Sequence, residues 1–379
     1  MRERNPTNWA PLFGKIARQN KNLEREFGFA KSPGALNRRA WLAGAAGIAA
    51  APGAMAQQAP LPPLKSLAPW PLGTCVQTPQ LNDPQWVQLA TTHFNRLTPE
   101  FEMKMETVLQ ADGSLRFERP DSLVAFAKGH GMAVHGHCLI WYAEDGGRFR
   151  ELDGNAFLNT YVDYIQKVMG RYADFIKTWD VVNEPVTDEG SVLRDCLWSQ
   201  KLGEDYIGLA FTAAHQADPH AILLMNEYNL EYTPKKRATL LRAAERALKA
   251  GAPLHGIGTQ THIGGDVPPG AIRAAIRDIA SLGLKIHVSE VDITLHEDRP
   301  VNAVEPRVDQ LRVLDELVLA YHDVPAAQRV GMTFWGVRDS DSWQNAGPHP
   351  RPIFDEPLLF DRFGRPKPLA RQLARDLRG

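Results

Sequence analysis

From Trp70 onward the chain alternates short β-rich runs with helix-like stretches, and it does so about eight times. The runs cover 71–77 (PLGTCVQ), 93–98 (HFNRLT), 132–139 (MAVHGHCL), 175–182 (FIKTWDVV), 221–227 (AILLMNE), 256–262 (GIGTQTH), 285–291 (KIHVSEV) and 331–337 (GMTFWGV). Between several of them, 156–172, 234–251 and 308–322 carry apolar residues at helical spacing. Strand–helix alternation implies parallel pairing through right-handed crossovers. The nucleotide-binding alternative, an open doubly wound sheet, loses its main support because neither GxGxxG nor GxxxxGK[ST] follows the first run. The pattern therefore predicts an α/β fold, a closed (β/α)8 TIM barrel forming one domain over 70–379. Such a barrel needs about 250 residues, which leaves an N-terminal extension.

That extension reads as a targeting segment. Arg38 and Arg39 precede an apolar run at 40–51, followed by Ala54-Met55-Ala56, a small-x-small cleavage pattern. The run is shorter than the roughly 20 residues a bilayer demands, so no membrane span is expected in the mature chain. The paired arginines resemble a twin-arginine export signal. We expect 1–56 to be removed on export to the periplasm or medium, and 57–69, rich in proline, to link into the barrel. Lys and Arg (43) balance Asp and Glu (44), which argues against a nucleic-acid surface. Three scattered cysteines make no disulfide scaffold, and no Cys/His group has zinc spacing.

Polar and aromatic residues gather where the runs end: Glu100, His137, Trp141, Asn183, Glu184, Glu227, Asn229, Gln260, His262, Glu290, Asp292 and Trp335. In such a barrel the active site is built at that end. Glycosidic cleavage needs one carboxylic acid to protonate the leaving oxygen and a second carboxylate on the opposite face of the sugar. Glu184 follows the fourth run in WDVVNEP and Glu290 stands near the end of the seventh in KIHVSEVDI, on strands across the barrel mouth from each other.

The segments LTPEFEMK, HGHCLIW, WDVVNE, NEYN, GIGTQTH, VSEVDI, FWGVRDSDSW and PLLFDRFGRPKP occur in the order found in glycoside hydrolase family 10. The chain resembles that family, chiefly endo-β-1,4-xylanases, from about Trp70 to the C-terminus. The resemblance implies retaining hydrolysis of a xylan-type polysaccharide or oligosaccharide by a monomer, with no metal and no cofactor. It implies Glu184 as acid/base and Glu290 as nucleophile. It further implies substrate contacts from Glu100, Lys104, His137, Trp141, Asn183, Tyr228, Gln260, His262, Trp335 and Trp343, with Gln260 and His262 beside Glu290. The chain departs from the family pattern at Phe101, Met105, Tyr142, the AEDGGRF stretch, Glu227 and Arg338. Another β-glycan or glycoside as substrate, including transglycosylation, is the nearest alternative. A non-catalytic polysaccharide-binding protein is the alternative of another class, although binding alone does not need a nucleophile.

Overall fold

The computed structural model describes residues 59–295, 304–345 and 354–378, so the expected signal peptide and cleavage site lie outside the described residues. Ten strands, β1 (Leu72–Val76), β2 (Arg96–Pro99), β3 (Ala133–Gly136), β4 (Ile140–Trp141), β5 (Thr178–Asn183), β6 (Ile222–Glu227), β7 (Gly256–Thr259), β8 (His262–Gly264), β9 (Lys285–Thr294) and β10 (Arg329–Phe334), are described. Eight of them run in the order β10-β1-β2-β3-β5-β6-β7-β9, and β9 pairs back onto β10. All these pairings are parallel, so the sheet closes into the expected barrel. The two short strands β4 and β8 add to the rim by pairing with the upper ends of β5 and β9.

The helices between the strands cover the barrel with apolar stripes. In the helix Gly154–Tyr172 the buried side chains are Phe157, Tyr161, Tyr164, Ile165, Val168, Met169 and Tyr172, three or four residues apart along most of the helix. Burying each such side chain is worth roughly 1.5–3 kcal/mol. Local chemistry fixes the ends. Helix α1 (Pro84–His93) starts because Asp83 accepts bonds from the N–H groups of Gln85 (2.9 Å) and Trp86 (3.2 Å) with Pro84 at the first helical position.

Arg338, a departure from the family pattern, belongs to the same corner. Its guanidinium pairs with Asp341 and with the capping Asp83, both at 2.8 Å, so it ties the segment after β10 to the start of α1. Leu64, expected within the linker, is instead fully buried against the barrel core. The second strand starts at Arg96 rather than 93, because His93 is still in α1. The third ends at Gly136, and Cys138 lies beyond it as a buried thiol; all three cysteines are free.

Inside the barrel the floor beneath the mouth is polar. Asp180 on β5 sits between two histidines: its Oδ2 lies 2.9 Å from His135 Nε2 and 2.9 Å from His137 Nδ1. Burial pushes the Asp180 carboxyl up, but these two partners outweigh it and hold it well below the usual range. Deeper still, Arg96 Nη2 meets His287 Nε2 at 2.7 Å. Donor atoms of His135, Asp180 and His287 lie within 4.8 Å of one another. The positive charge that such a cluster would recruit is already supplied by Arg96.

Candidate active site

Glu184 is the first residue after β5, and Glu290 lies within β9, so both stand at the C-terminal end of the barrel. Glu184 has φ of 55°, and Asn229 (59°) and Thr261 (61°) share this left-handed backbone just past β6 and β7. For a β-branched residue such as Thr261 that region is a genuine outlier. Strain of this kind costs about 1–3 kcal/mol and persists only where the surroundings over-determine it.

The two carboxylates share one amide network. Glu184 Oε1 accepts from Gln260 Nε2 at 2.9 Å and from Asn183 Nδ2 at 3.2 Å, while Oε2 accepts from Trp141 Nε1 at 2.8 Å. Glu290 Oε1 accepts from Asn226 Nδ2 at 2.7 Å, and the same amide donates to Asn183 Oδ1 at 2.9 Å. Glu290 Oε2 lies 3.2 Å from His262 Nε2. Gln260 lies beside Glu290 as expected, its carbonyl accepting from the Glu290 N–H at 3.0 Å, but the expectation that its side chain bonds the Glu290 carboxylate is corrected: its amide donates to the Glu184 carboxylate. Asn226 takes the place expected for Gln260. It lay inside the NEYN segment, where it counts as the penultimate residue of β6, directed by strand alternation into the barrel.

The electrostatics separate the two acids' surroundings. Burial pushes the Glu290 carboxyl up, but His137, the bond from His262 and the Lys104 charge more than offset it and hold it below the ordinary carboxylate range. His262 is correspondingly a cation. Burial disfavours its charge, yet Asp292, whose Oδ2 is 3.0 Å from Nδ1, and Glu290 raise it to about 10. Trp343 Nε1 donates to the same Asp292 oxygen at 2.7 Å, which orients the indole beside His262.

The other expected residues are placed as follows. His137, Trp335, His262 and Trp343 form a run of edge-to-face rings with centroids 5.4, 6.1 and 5.4 Å apart. Lys104 Nζ lies 4.7 Å from the Trp141 ring centroid and 5.3 Å from that of Phe101. The Lys104 charge also feels Glu144, Glu290 and Glu100. Glu100 accepts from Gln77 Nε2 at 2.9 Å, and burial raises its carboxyl to about 6. Tyr228 bonds Arg194 and Asp188 rather than either carboxylate of the pair. Glu227, present where the family pattern has Asp, is fully buried, 2.9 Å from Lys236 Nζ, and accepts from the Val186 N–H at 2.9 Å. Asp180 and Arg194 escaped the sequence reading, since one lies mid-strand and the other in an irregular loop.

A parallel barrel whose C-terminal rim carries two buried glutamates joined through amides is the architecture of a barrel glycoside hydrolase. Residues 65–375 match the family described as Glycosyl hydrolase family 10. The chain is 36% identical over 291 residues to endo-1,4-beta-xylanase B of Paenibacillus barcinonensis, covering 73% of this chain and 86% of that one. It is 34% identical over 298 residues to the beta-1,4-xylanase of Dictyoglomus thermophilum, covering 76% and 83%. Among solved structures, a GH10 endoxylanase retrieved from sugarcane soil metagenome superposes with a TM-score of 0.76 at 31% identity, over 84% of this chain and 100% of that chain. The chain belongs to glycosyl hydrolase family 10 and is a glycoside hydrolase.

Proposed function

We propose that this enzyme is a retaining endo-β-1,4-xylanase in which Glu290 is the nucleophile and Glu184 the acid/base. The observation that carries the assignment is the asymmetry of the two glutamates. Glu290 is held ionised against a protonated His262, as an attacking carboxylate must be. Glu184 is the other glutamate of the network, and among the described residues its carboxylate accepts only neutral donors, from Trp141, Asn183 and Gln260. In the first step a Glu290 oxygen bonds to the anomeric carbon. The glycosidic C–O bond breaks toward the leaving oxygen, which takes the proton of Glu184. In the second step water attacks the same carbon from the opposite face, gives its proton to Glu184 and releases Glu290, so configuration is retained. His137, Trp335 and Trp343 would wall the sugar at the cleavage point, and Lys104 with Glu100 would bind the next sugar on the non-reducing side. Asn183 would donate to the 2-hydroxyl.

Xylan is the substrate we favour, because the relatives above are named xylanases. Product profiles on xylan, cellulose and mannan test it. Short xylo-oligosaccharides from xylan, with little release from the other two, are expected; preferential cleavage of cellulose or mannan would overturn the choice. Export through cleavage near Ala56 completes the reading, supported by Arg38-Arg39 and the apolar run after them. It predicts that N-terminal sequencing of exported enzyme begins close to Gln57 and not at Met1.

A further inference from the structure

Glu184 is held by its backbone as firmly as by its carboxylate. Its N–H donates to the Asn226 carbonyl at 2.8 Å, and its own carbonyl accepts from Arg194 Nε at 3.0 Å. The Arg194 N–H in turn donates to the Pro185 carbonyl at 2.7 Å. The far side of the same guanidinium donates from Nη2 to Asp188 Oδ1 at 2.5 Å and to the Tyr228 hydroxyl at 2.6 Å. The Tyr228 hydroxyl also donates to Asp188. The guanidinium lies 4.0 Å from the ring centroid of Tyr142, the neighbour of Trp141, whose indole binds the Glu184 carboxylate. Only 12% of the Arg194 side chain is exposed. One cation thus joins the segments after β4, β5 and β6 and ends on the peptide of Glu184. Asp188 alone would neutralise it; the Nε–H aimed at a carbonyl in a left-handed backbone is a directed contact.

We propose that Arg194 is a positioning residue that sets the Glu184 carboxyl by gripping the Glu184 peptide carbonyl, with Tyr142, Asp188 and Tyr228 holding the guanidinium in place. This rests on Glu184 being the acid/base. The planar fork serves the carbonyl, the carboxylate and the phenol at once; a lysine ammonium, a point donor on a flexible stem, cannot hold that geometry. Misplacing a catalytic group by about 1 Å costs on the order of 100-fold.

The test is kcat/KM of Arg194→Lys across aryl β-xylobiosides, from dinitrophenyl, which leaves without protonation, to phenyl, which needs it. Arg194→Lys should lose about 10- to 100-fold on the phenyl substrate and under about threefold on the dinitrophenyl one. An equal loss on both would mean that Arg194 only supports the loop, and the proposal would fall. Glu184→Ala, measured beside it, separates the two claims. If Glu184→Ala itself shows no leaving-group dependence, the acid/base assignment fails; if it does and Arg194→Lys does not, only the positioning role fails. Should Arg194→Lys not fold, Tyr142→Leu removes the stacked ring and keeps every hydrogen bond of Arg194. It should lower the phenyl-to-dinitrophenyl ratio by about 3- to 10-fold, and an unchanged ratio would overturn the proposal.

Discussion

At the scale of single residues, His262 connects the charge of the site to its chemistry. It lies between Glu290 and Asp292, which outweigh the effect of burial and raise its pKa to about 10. Replacing it by a neutral side chain, His262→Asn, removes one of the influences that lower the Glu290 carboxyl. As the proposed nucleophile Glu290 must be ionised, so the acid limb of kcat/KM against pH should move to higher pH, with activity at the optimum falling about tenfold or more. An acid limb that stays in place would show that His262 does not tune Glu290. Folding linkage runs the other way. A histidine raised in the folded state contributes stability that is complete below its ordinary value of about 6.5 and is lost as pH climbs through about 10.

The two carboxylates were legible in the sequence because each stands in a recognisable segment at a strand end. His262 beside Glu290 was legible too, but the amide partner of each was not, because Asn226, near the end of β6, and Gln260, just after β7, both project inward. Which glutamate each amide reaches depends on the relative heights of β5, β6, β7 and β9, and those heights are set by register rather than by residue type.

At the scale of elements, eight runs were readable because central parallel strands are buried on both faces and appear as short apolar segments. Their ends were less readable. His93 reads as part of a strand by composition but completes α1, whose Asp83 cap and buried Trp86 and Ala90 decide the matter. The long helices were found within a few residues, since 3.6-residue periodicity sustained over 16 to 19 positions leaves little choice.

The element contact with the clearest consequence is between β6 and β7. A Cβ on Gly258 would stand 2.2 Å from Asn226 Oδ1, so glycine is what lets that amide lie flat against β7. The amide accepts from Ser289 Oγ at 2.6 Å and donates to Glu290. Gly258→Ala should therefore rotate Asn226 away from Glu290. We expect a folded protein destabilised by about 1–3 kcal/mol in thermal or denaturant melts, with kcat lowered at least about tenfold. Loss of stability with unchanged kcat would show that the Asn226 contact is dispensable.

At the scale of the molecule, closure of the barrel brings residues separated by more than 100 positions in the sequence to one mouth, and the chain's C-terminal part secures that closure. Lys367, almost wholly buried, places Nζ 2.9 and 3.0 Å from the two Asp339 oxygens and donates to the Glu356 carbonyl at 2.6 Å. This ties the segment after β10 to the approach of the last helix, Pro368–Asp376. The catalytic proposal depends on that geometry, since strands four and seven of the barrel must present their glutamates to opposite faces of one sugar. Retention requires the two carboxyl groups about 5–5.5 Å apart.

The most direct test of the central claim is azide rescue of the two alanine variants with an activated aryl β-xylobioside. Glu184→Ala should still form the glycosyl-enzyme, which then accumulates for want of a base. Azide, a nucleophile that needs none, should restore turnover and yield the β-glycosyl azide, because it enters opposite Glu290. Glu290→Ala should be inactive on its own. Rescue of Glu290→Ala with formation of the α-glycosyl azide would reverse the two roles, and full activity in either variant would contradict the assignment altogether.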